Sequence, residues 1–194
     1  MRKTTLASIF TVVGIFGCHA AAAQAQTWPP PPPPVSLPTP APTPRLSTAL
    51  AQNLEQMQKS ELPRERREQA YAKLLEGQRY YWSMNRQRSQ AAQAARARLA
   101  RESLQKALEL DATLAEAYTM LSELALSLPP NDIEEAISLA NLAVKLNPNS
   151  YGSRRILARL YTIKSRLNSG ALDAAWTTKA IAEWKEVARL DPRG

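Results

Sequence analysis

The chain of 194 residues is poor in the side chains that build most catalytic and metal sites: it has one cysteine, one histidine and six glycines. Cys18 and His19 are adjacent and close to the N-terminus. If the chain is cleaved after Ala25, the mature chain contains no cysteine and no histidine. That excludes an internal disulfide, a Ser-His or Cys-His catalytic pair, and a metal site of His and Cys ligands.

The sequence also lacks clustered glycines, which a phosphate-binding loop needs, and alternating β-branched residues, which are typical of strands. The glycines after Pro44 are Gly77, Gly152, Gly170 and Gly194. They are too scattered for a phosphate-binding loop, and no period-2 run of β-branched residues predicts a strand. The acidic pairs Glu134-Glu135 and Glu183-Glu186 fall at exposed helix positions. We therefore predict no catalytic residue, no cofactor and no enzyme activity.

The N-terminus has the pattern of an export signal. Arg2 and Lys3 precede the uncharged apolar run 4–17, which is too short to span a bilayer, and small residues follow at Ala23 and Ala25. This predicts a signal peptide over 1–25. An alternative stays open, because Ile15-Phe16-Gly17-Cys18 resembles a bacterial lipobox, which would make Cys18 a lipidation site. The expected location is the periplasm or the exterior, or the membrane surface as a lipoprotein.

A proline-rich segment over 26–44 separates this signal from the rest. Ten of the 17 residues from Trp28 to Pro44 are proline. Such a run favours extended polyproline II and excludes a helix. A stiff, disordered spacer is the preferred interpretation, and a ligand for a proline-binding module is the alternative.

The charge of the remaining chain is uneven. Residues 45–106 carry 13 Lys and Arg against 6 Asp and Glu, a balance of +7, whereas 107–194 carry 10 against 11. We expect this basic half to meet acidic proteins, anionic lipid or cell-wall polymer. Nucleic acid is not an expected partner, because no reading motif accompanies the charge. Arg96, Arg98 and Arg101 suggest a lipid-facing helix, but its apolar face is mostly alanine, which favours a solvated face.

After Pro44 the residues favour helices. Apolar spacing predicts a first helix over about Ser47–Lys59 within an N-terminal segment 45–66, a second from Pro63 to Met84, and a third over Gln90–Leu110. A signature then recurs at offsets 0, 4, 7 and 10, closed by Asp or Asn. Its three copies are Ala100, Leu104, Ala107, Leu110; Ala136, Ala140, Ala143, Leu146; and Ala180, Trp184, Val187, Leu190.

A second helix type precedes each copy. Its residues at offsets 0, 3 and 7 are Tyr118, Leu121, Ala125, then Arg154, Leu157, Tyr161, with Tyr71, Leu74, Gln78 as a weaker first copy. The unit is therefore helix, turn, helix, turn. A unit of this kind buries its faces only by stacking on its neighbours.

These residues resemble the tetratricopeptide repeat family over 67–194. The resemblance implies an all-α solenoid of about three antiparallel helix pairs, over 68–112, 115–148 and 151–192. It also implies a protein or peptide ligand in a groove lined by the first helix of each pair. The groove residues carried over by register are Glu76, Arg79, Tyr80, Glu116, Thr119, Glu123, Arg155 and Arg159.

Three functions follow as hypotheses. The first is an exported scaffold that binds a protein or peptide in this groove. The second is a structural envelope protein that self-associates through its C-terminal end, where Trp184 and Leu190 have no successor helix in the pattern. The third is an accessory region of a longer enzyme, because the pattern predicts a further repeat after Pro192 and therefore a chain truncated at its C-terminus.

Overall fold

The computed structural model describes residues 45–59, 61–166 and 172–192. In these ranges the chain forms seven helices and no strand, which confirms the all-α prediction. The helices are α1 Leu46–Met57, α2 Arg64–Met84, α3 Gln90–Leu110, α4 Ala115–Ser127, α5 Ile133–Leu146, α6 Tyr151–Arg166 and α7 Ala174–Leu190. The predicted signal peptide, Cys18 and the proline-rich segment lie outside the described residues.

The helices pack as consecutive pairs. α2 packs on α3, α4 on α5, and α6 on α7, while contacts between α3 and α4 and between α5 and α6 join each pair to the next. α2 contacts α4, and α4 contacts α6, so the first helices of the pairs are neighbours. This is a solenoid-like arrangement of helix pairs. α1 stands outside the pairing and packs against α3 and α5.

The second helix of every pair ends in the same way. Asp111, Asn147 and Asp191 each follow the last helical residue with φ between −143° and −135° and ψ between 83° and 99°. Each amide still donates a hydrogen bond four residues back, to Ala107, Ala143 and Val187 respectively. One local sequence signal therefore produces one local geometry three times, as a repeat requires.

The predicted small residues lie in the core. Ala100 and Ala136 are fully buried, and Ala180 is 5% exposed. The other expected packing residues that are buried are Leu104, Ala107, Tyr118, Leu121, Ala140, Leu157 and Tyr161. Trp184 differs and is 42% exposed. The helices of its counterparts Leu104 and Ala140, α3 and α5, also contact the first helix of a following pair, whereas α7 contacts only α6 among the described helices.

Polar contacts fix α1 on the second helices. The Ser47 amide and hydroxyl each donate to the Glu135 carboxylate, both at 2.7 Å. Asn53 Nδ2 donates to the Leu108 carbonyl at 3.1 Å. A carboxylate at a helix N-terminus satisfies donors that the helix itself cannot satisfy. Glu135 therefore caps α1 from α5.

Gly77 marks the closest approach of α2 to α3. A Cβ at Gly77 would lie 2.7 Å from Leu104 Cγ, and Leu104 is fully buried. A Cβ at Gly152, in the first turn of α6, would meet nothing within 4 Å. Alanine at either position gains helix propensity, but only Gly77→Ala adds an overpacked contact.

We predict that Gly77→Ala has a free energy of unfolding about 1–3 kcal/mol below that of Gly152→Ala, because of overpacking. Urea unfolding followed by circular dichroism measures both. Equal stabilities of the two variants would contradict the close contact between α2 and Leu104.

Candidate binding groove

Large side chains form an exposed stripe along α2. Tyr71, Leu75, Gln78 and Trp82 follow one another at helical spacing, so they share one face of the helix. Tyr71 is 56% exposed, Leu75 60% and Trp82 65%. The adjacent face, with Ala70, Leu74 and Gly77, is buried. α2 therefore presents an apolar face to solvent beside its core face.

The first helices of the next two pairs supply the other wall. One depression of about 220 Å³ lies between Gln78, Tyr81 and Trp82 on α2 and residues of α4 and the start of α6. Those other residues are Glu116, Thr119, Met120, Glu123, Ser150 and Gly152. A second depression of about 270 Å³ runs from Tyr71 and Leu74 to Glu116. Because both include Glu116, they form one surface, which we call the α2–α4–α6 groove.

A hydrogen bond closes the floor of this groove. The Tyr81 hydroxyl donates to Glu123 Oε2, and Tyr81 is half-buried. Burial raises the pKa of the Tyr81 phenol, and the bond to Glu123 and its negative charge raise it further. The charges of Arg159 and Arg155 lower that pKa, so both guanidinium groups lie near the same hydroxyl. One residue from each of α2 and α4 and two from α6 thus share an electrostatic environment.

The sequence-predicted groove residues on α4 and α6 lie on this side of the molecule. Glu116, Thr119 and Glu123 line the groove, and Thr119 Oγ1 is 2.8 Å from Ser153 Oγ of α6. Arg155 and Arg159 are exposed.

The three candidates on α2 face elsewhere, which corrects the prediction. Glu76 pairs with Lys73 at 2.7 Å, and its pKa is lowered first by that bond and also by the charge of Lys106 on α3. The Tyr80 ring lies between the guanidinium groups of Arg79 and Arg96, at 5.2 and 5.8 Å. Because Lys106 and Arg96 belong to α3, Glu76 and Tyr80 lie toward the partner helix of the pair, and none of the three candidates lines either depression of the groove.

For Glu76, the reason is a register error of one residue. The sequence argument aligned Tyr71 with Tyr118 and Arg154, whereas the buried residue at that position is Ala70. With Ala70 aligned, offset 7 gives Gly77, Ala125 and Tyr161, and all three are buried. The groove positions at offsets 1 and 5 then become Tyr71 and Leu75 on α2. The corresponding residues are Thr119 and Glu123 on α4, and Arg155 and Arg159 on α6.

Gly77 was the available sequence signal for this register. A glycine inside a long helix is unfavourable unless something approaches its backbone closely. Placing Gly77 at the helix crossing would have moved the exposed face to Tyr71, Leu75 and Trp82.

The acidic pairs noted in the sequence have structural partners. Glu135 accepts a hydrogen bond from the Ser47 amide, and Glu134 forms an ion pair with Lys164. Glu183 lies 2.8 Å from Arg154, and Glu186 lies 3.0 Å from Arg189. Within the described ranges, no group of three or more His, Cys, Asp and Glu residues has an arrangement that would hold a metal ion.

No protein-family model matches this chain, and no curated protein is significantly similar to it. Of the helices described above, none has both the length and the apolar character that a bilayer crossing requires. The tetratricopeptide resemblance therefore stays a prediction, whereas the structure shows the all-α architecture of packed helix pairs.

We predict that Tyr81→Phe lowers the free energy of unfolding at neutral pH by about 1–2 kcal/mol, because Glu123 loses a donor. Since the folded-state pKa of Tyr81 is raised, its contribution is complete below the ordinary tyrosine pKa of about 10 and is lost as pH rises through the raised value. The variant should therefore lose stability less steeply above pH ~10 than the parent.

Urea unfolding at a series of pH values measures both effects. Tyr71→Phe is the matched control, because Tyr71 is exposed and no hydrogen bond of its hydroxyl occurs in the described part of the chain. An identical pH dependence for Tyr81→Phe and Tyr71→Phe would contradict the role of the Tyr81 hydroxyl.

Proposed function

We propose that the helical domain is a binding module for another polypeptide and that the α2–α4–α6 groove is its contact surface. The observation that carries the proposal is the exposed stripe of Tyr71, Leu75 and Trp82 beside the groove. Contiguous exposed apolar side chains are costly in water and mark interaction surfaces. Tyrosine and tryptophan are also the side chains that most often dominate interface energies.

The two walls of the groove suit different parts of a ligand. The α2 wall offers apolar side chains, and the Trp82 ring is held edge-on to Tyr81 with centroids 5.3 Å apart. The far wall offers the carboxylate of Glu116, and the charges of Arg155 and Arg159 on α6 act on the Tyr81 hydroxyl beside it. A segment with aromatic or aliphatic residues on one side and charged residues on the other would satisfy both walls. This chemistry supports a peptide-like ligand over a small polar metabolite.

We further propose that this module acts outside the cytoplasm, as an interaction scaffold of the cell envelope. The support is the N-terminal sequence pattern, which predicts export with a proline-rich spacer before the domain.

Self-association is a second candidate function, and α7 carries the observation that favours it. Ile181 and Trp184 are 51% and 42% exposed, and they lie on one face of α7 at a spacing of three residues. A second copy covering this face would make the chain a structural component instead of a receptor. The two exposed tryptophans allow the hypotheses to be separated.

Peptides that bind the full-length chain can be selected from a random library. We predict that these peptides bind the Trp82→Ala variant about tenfold or more weakly than the parent, because the variant lacks an aromatic anchor of the interface. Trp184→Ala is the matched control and should bind them unchanged. Fluorescence anisotropy with labelled peptides measures the affinities. Circular dichroism checks that both variants are folded.

Loss of peptide binding in Trp184→Ala with retention in Trp82→Ala would reject the groove. Light scattering of the same proteins tests the rival: a dimer or larger assembly that Trp184→Ala dissociates would support self-association through α7.

A further inference from the structure

A second cleft lies where α3 passes the turn between α4 and α5. Its outer part has a volume of about 250 Å³ and is lined by Ala94, Arg98, Arg101, Leu128 and Pro129. Its inner part has a similar volume of about 250 Å³. The inner lining shares Arg101 and Leu128 with the outer part. The two parts therefore adjoin, and Arg101 stands at their junction.

The inner part combines apolar and charged side chains. Leu121 and Ala125 of α4 and Leu139 of α5 line it together with Leu128 and with Leu46 of α1. Leu121 and Leu139 are each 1% exposed, so this wall belongs to the core of the domain. The leucine surface that a ligand chain could cover here is therefore that of Leu46 and Leu128, which are partly exposed. Burial of that apolar surface would favour binding.

Charge is distributed unevenly between the two parts. The outer part has two guanidinium groups and no carboxylate in its lining. Neither Arg98 nor Arg101 forms an ion pair within the part of the chain that the structure describes. The inner part includes Arg45 and the carboxylates of Asp132 and Glu135, which accept hydrogen bonds from the Glu135 amide and from Ser47. The cleft is thus cationic at its outer end, and its inner end has both charged and apolar side chains.

We propose that this cleft binds a single-chain anionic amphiphile, such as a fatty-acid carboxylate. The carboxylate would lie between Arg98 and Arg101, where charge-assisted hydrogen bonds from guanidinium groups are available. The hydrocarbon chain extends past Leu128 into the inner part. Each part lies just below the ~300–1,000 Å³ typical of pockets for drug-sized ligands. The cleft therefore suits a medium-length chain.

This proposal answers the objection that the sequence raises against lipid at α3. The objection was that the apolar face of α3 is mostly alanine. In the fold, the apolar surface beside Arg98 and Arg101 comes from α1, α4 and α5 instead. The cleft shares no lining residue with the α2–α4–α6 groove, so either site can fail its test without the other.

The test uses the full chain and four probes in isothermal titration calorimetry. Decanoate should bind saturably, decanol and decyltrimethylammonium about tenfold more weakly or not at all, and butyrate not at all, because the site needs both an anionic head and a chain. The variant Arg98→Gln/Arg101→Gln should lose about tenfold in decanoate affinity. Arg86→Gln/Arg88→Gln removes the same charge from residues that line neither part of the cleft, and it should bind decanoate like the parent.

Several results would overturn the proposal. They are absence of saturable decanoate binding, equal binding of decanol, and equal losses in the two double variants, the last of which would mean general attraction to the basic half of the chain. A short apolar peptide with a free C-terminus that displaced decanoate at a lower concentration would assign the cleft to peptide ends instead. Circular dichroism of each variant separates lost binding from lost folding.

Discussion

The close approach of helices at positions with small side chains determines the rest of this structure. Gly77 leaves no room for a Cβ beside Leu104, and Ala100 and Ala136 are fully buried where neighbouring helices meet. Side chains of this size let helix axes come close, so that residues on both sides of the contact interlock. Once Gly77 is fixed against Leu104, the rotation of α2 is fixed as well. This rotation in turn determines which face of α2 is exposed to solvent.

The position of α1 follows from the same stacking. α1 contacts both of the second helices α3 and α5, which do not contact each other in the described part of the chain. α1 buries Leu50, Leu54 and Met57 there. Glu135 completes the attachment by accepting two hydrogen bonds from Ser47. α1 therefore covers part of α3 and α5 and does not contact α2, α4 or α6.

Much of this fold could be predicted from the sequence, because its signals are local. The bounds of α3, Gln90–Leu110, agree with the prediction, and α1 begins and ends within two residues of it. The closing residues Asp111, Asn147 and Asp191 mark the ends of the helices correctly. These features depend on helix capping and on one apolar stripe per helix, and both are determined by residues that are close together in the sequence.

The α2 register could not be obtained in this way. α2 has apolar or aromatic residues on two adjacent faces, so periodicity alone fits either Ala70 or Tyr71 as the buried position. The choice depends on Leu104, a residue of another helix, and the core accepts Gly77 there only because Leu104 fills the space. The same limit affected the cleft beside Arg98, since its apolar lining comes from α1, α4 and α5. Local patterns identify helices, but contacts between helices decide which surfaces remain exposed.

The energetics of the exposed α2 face are consistent with the proposed binding function. Tyr71, Leu75 and Trp82 are more than half exposed, so they contribute little apolar burial to the domain. Full burial of an exposed apolar side chain contributes about 1.5–3 kcal/mol, and these three have between 56% and 65% of their surface left to bury. The bond between Tyr81 and Glu123 and the edge contact between Tyr81 and Trp82 already order this wall. Less conformational entropy is then lost on association, which makes a preordered apolar wall more effective than a mobile one of equal area.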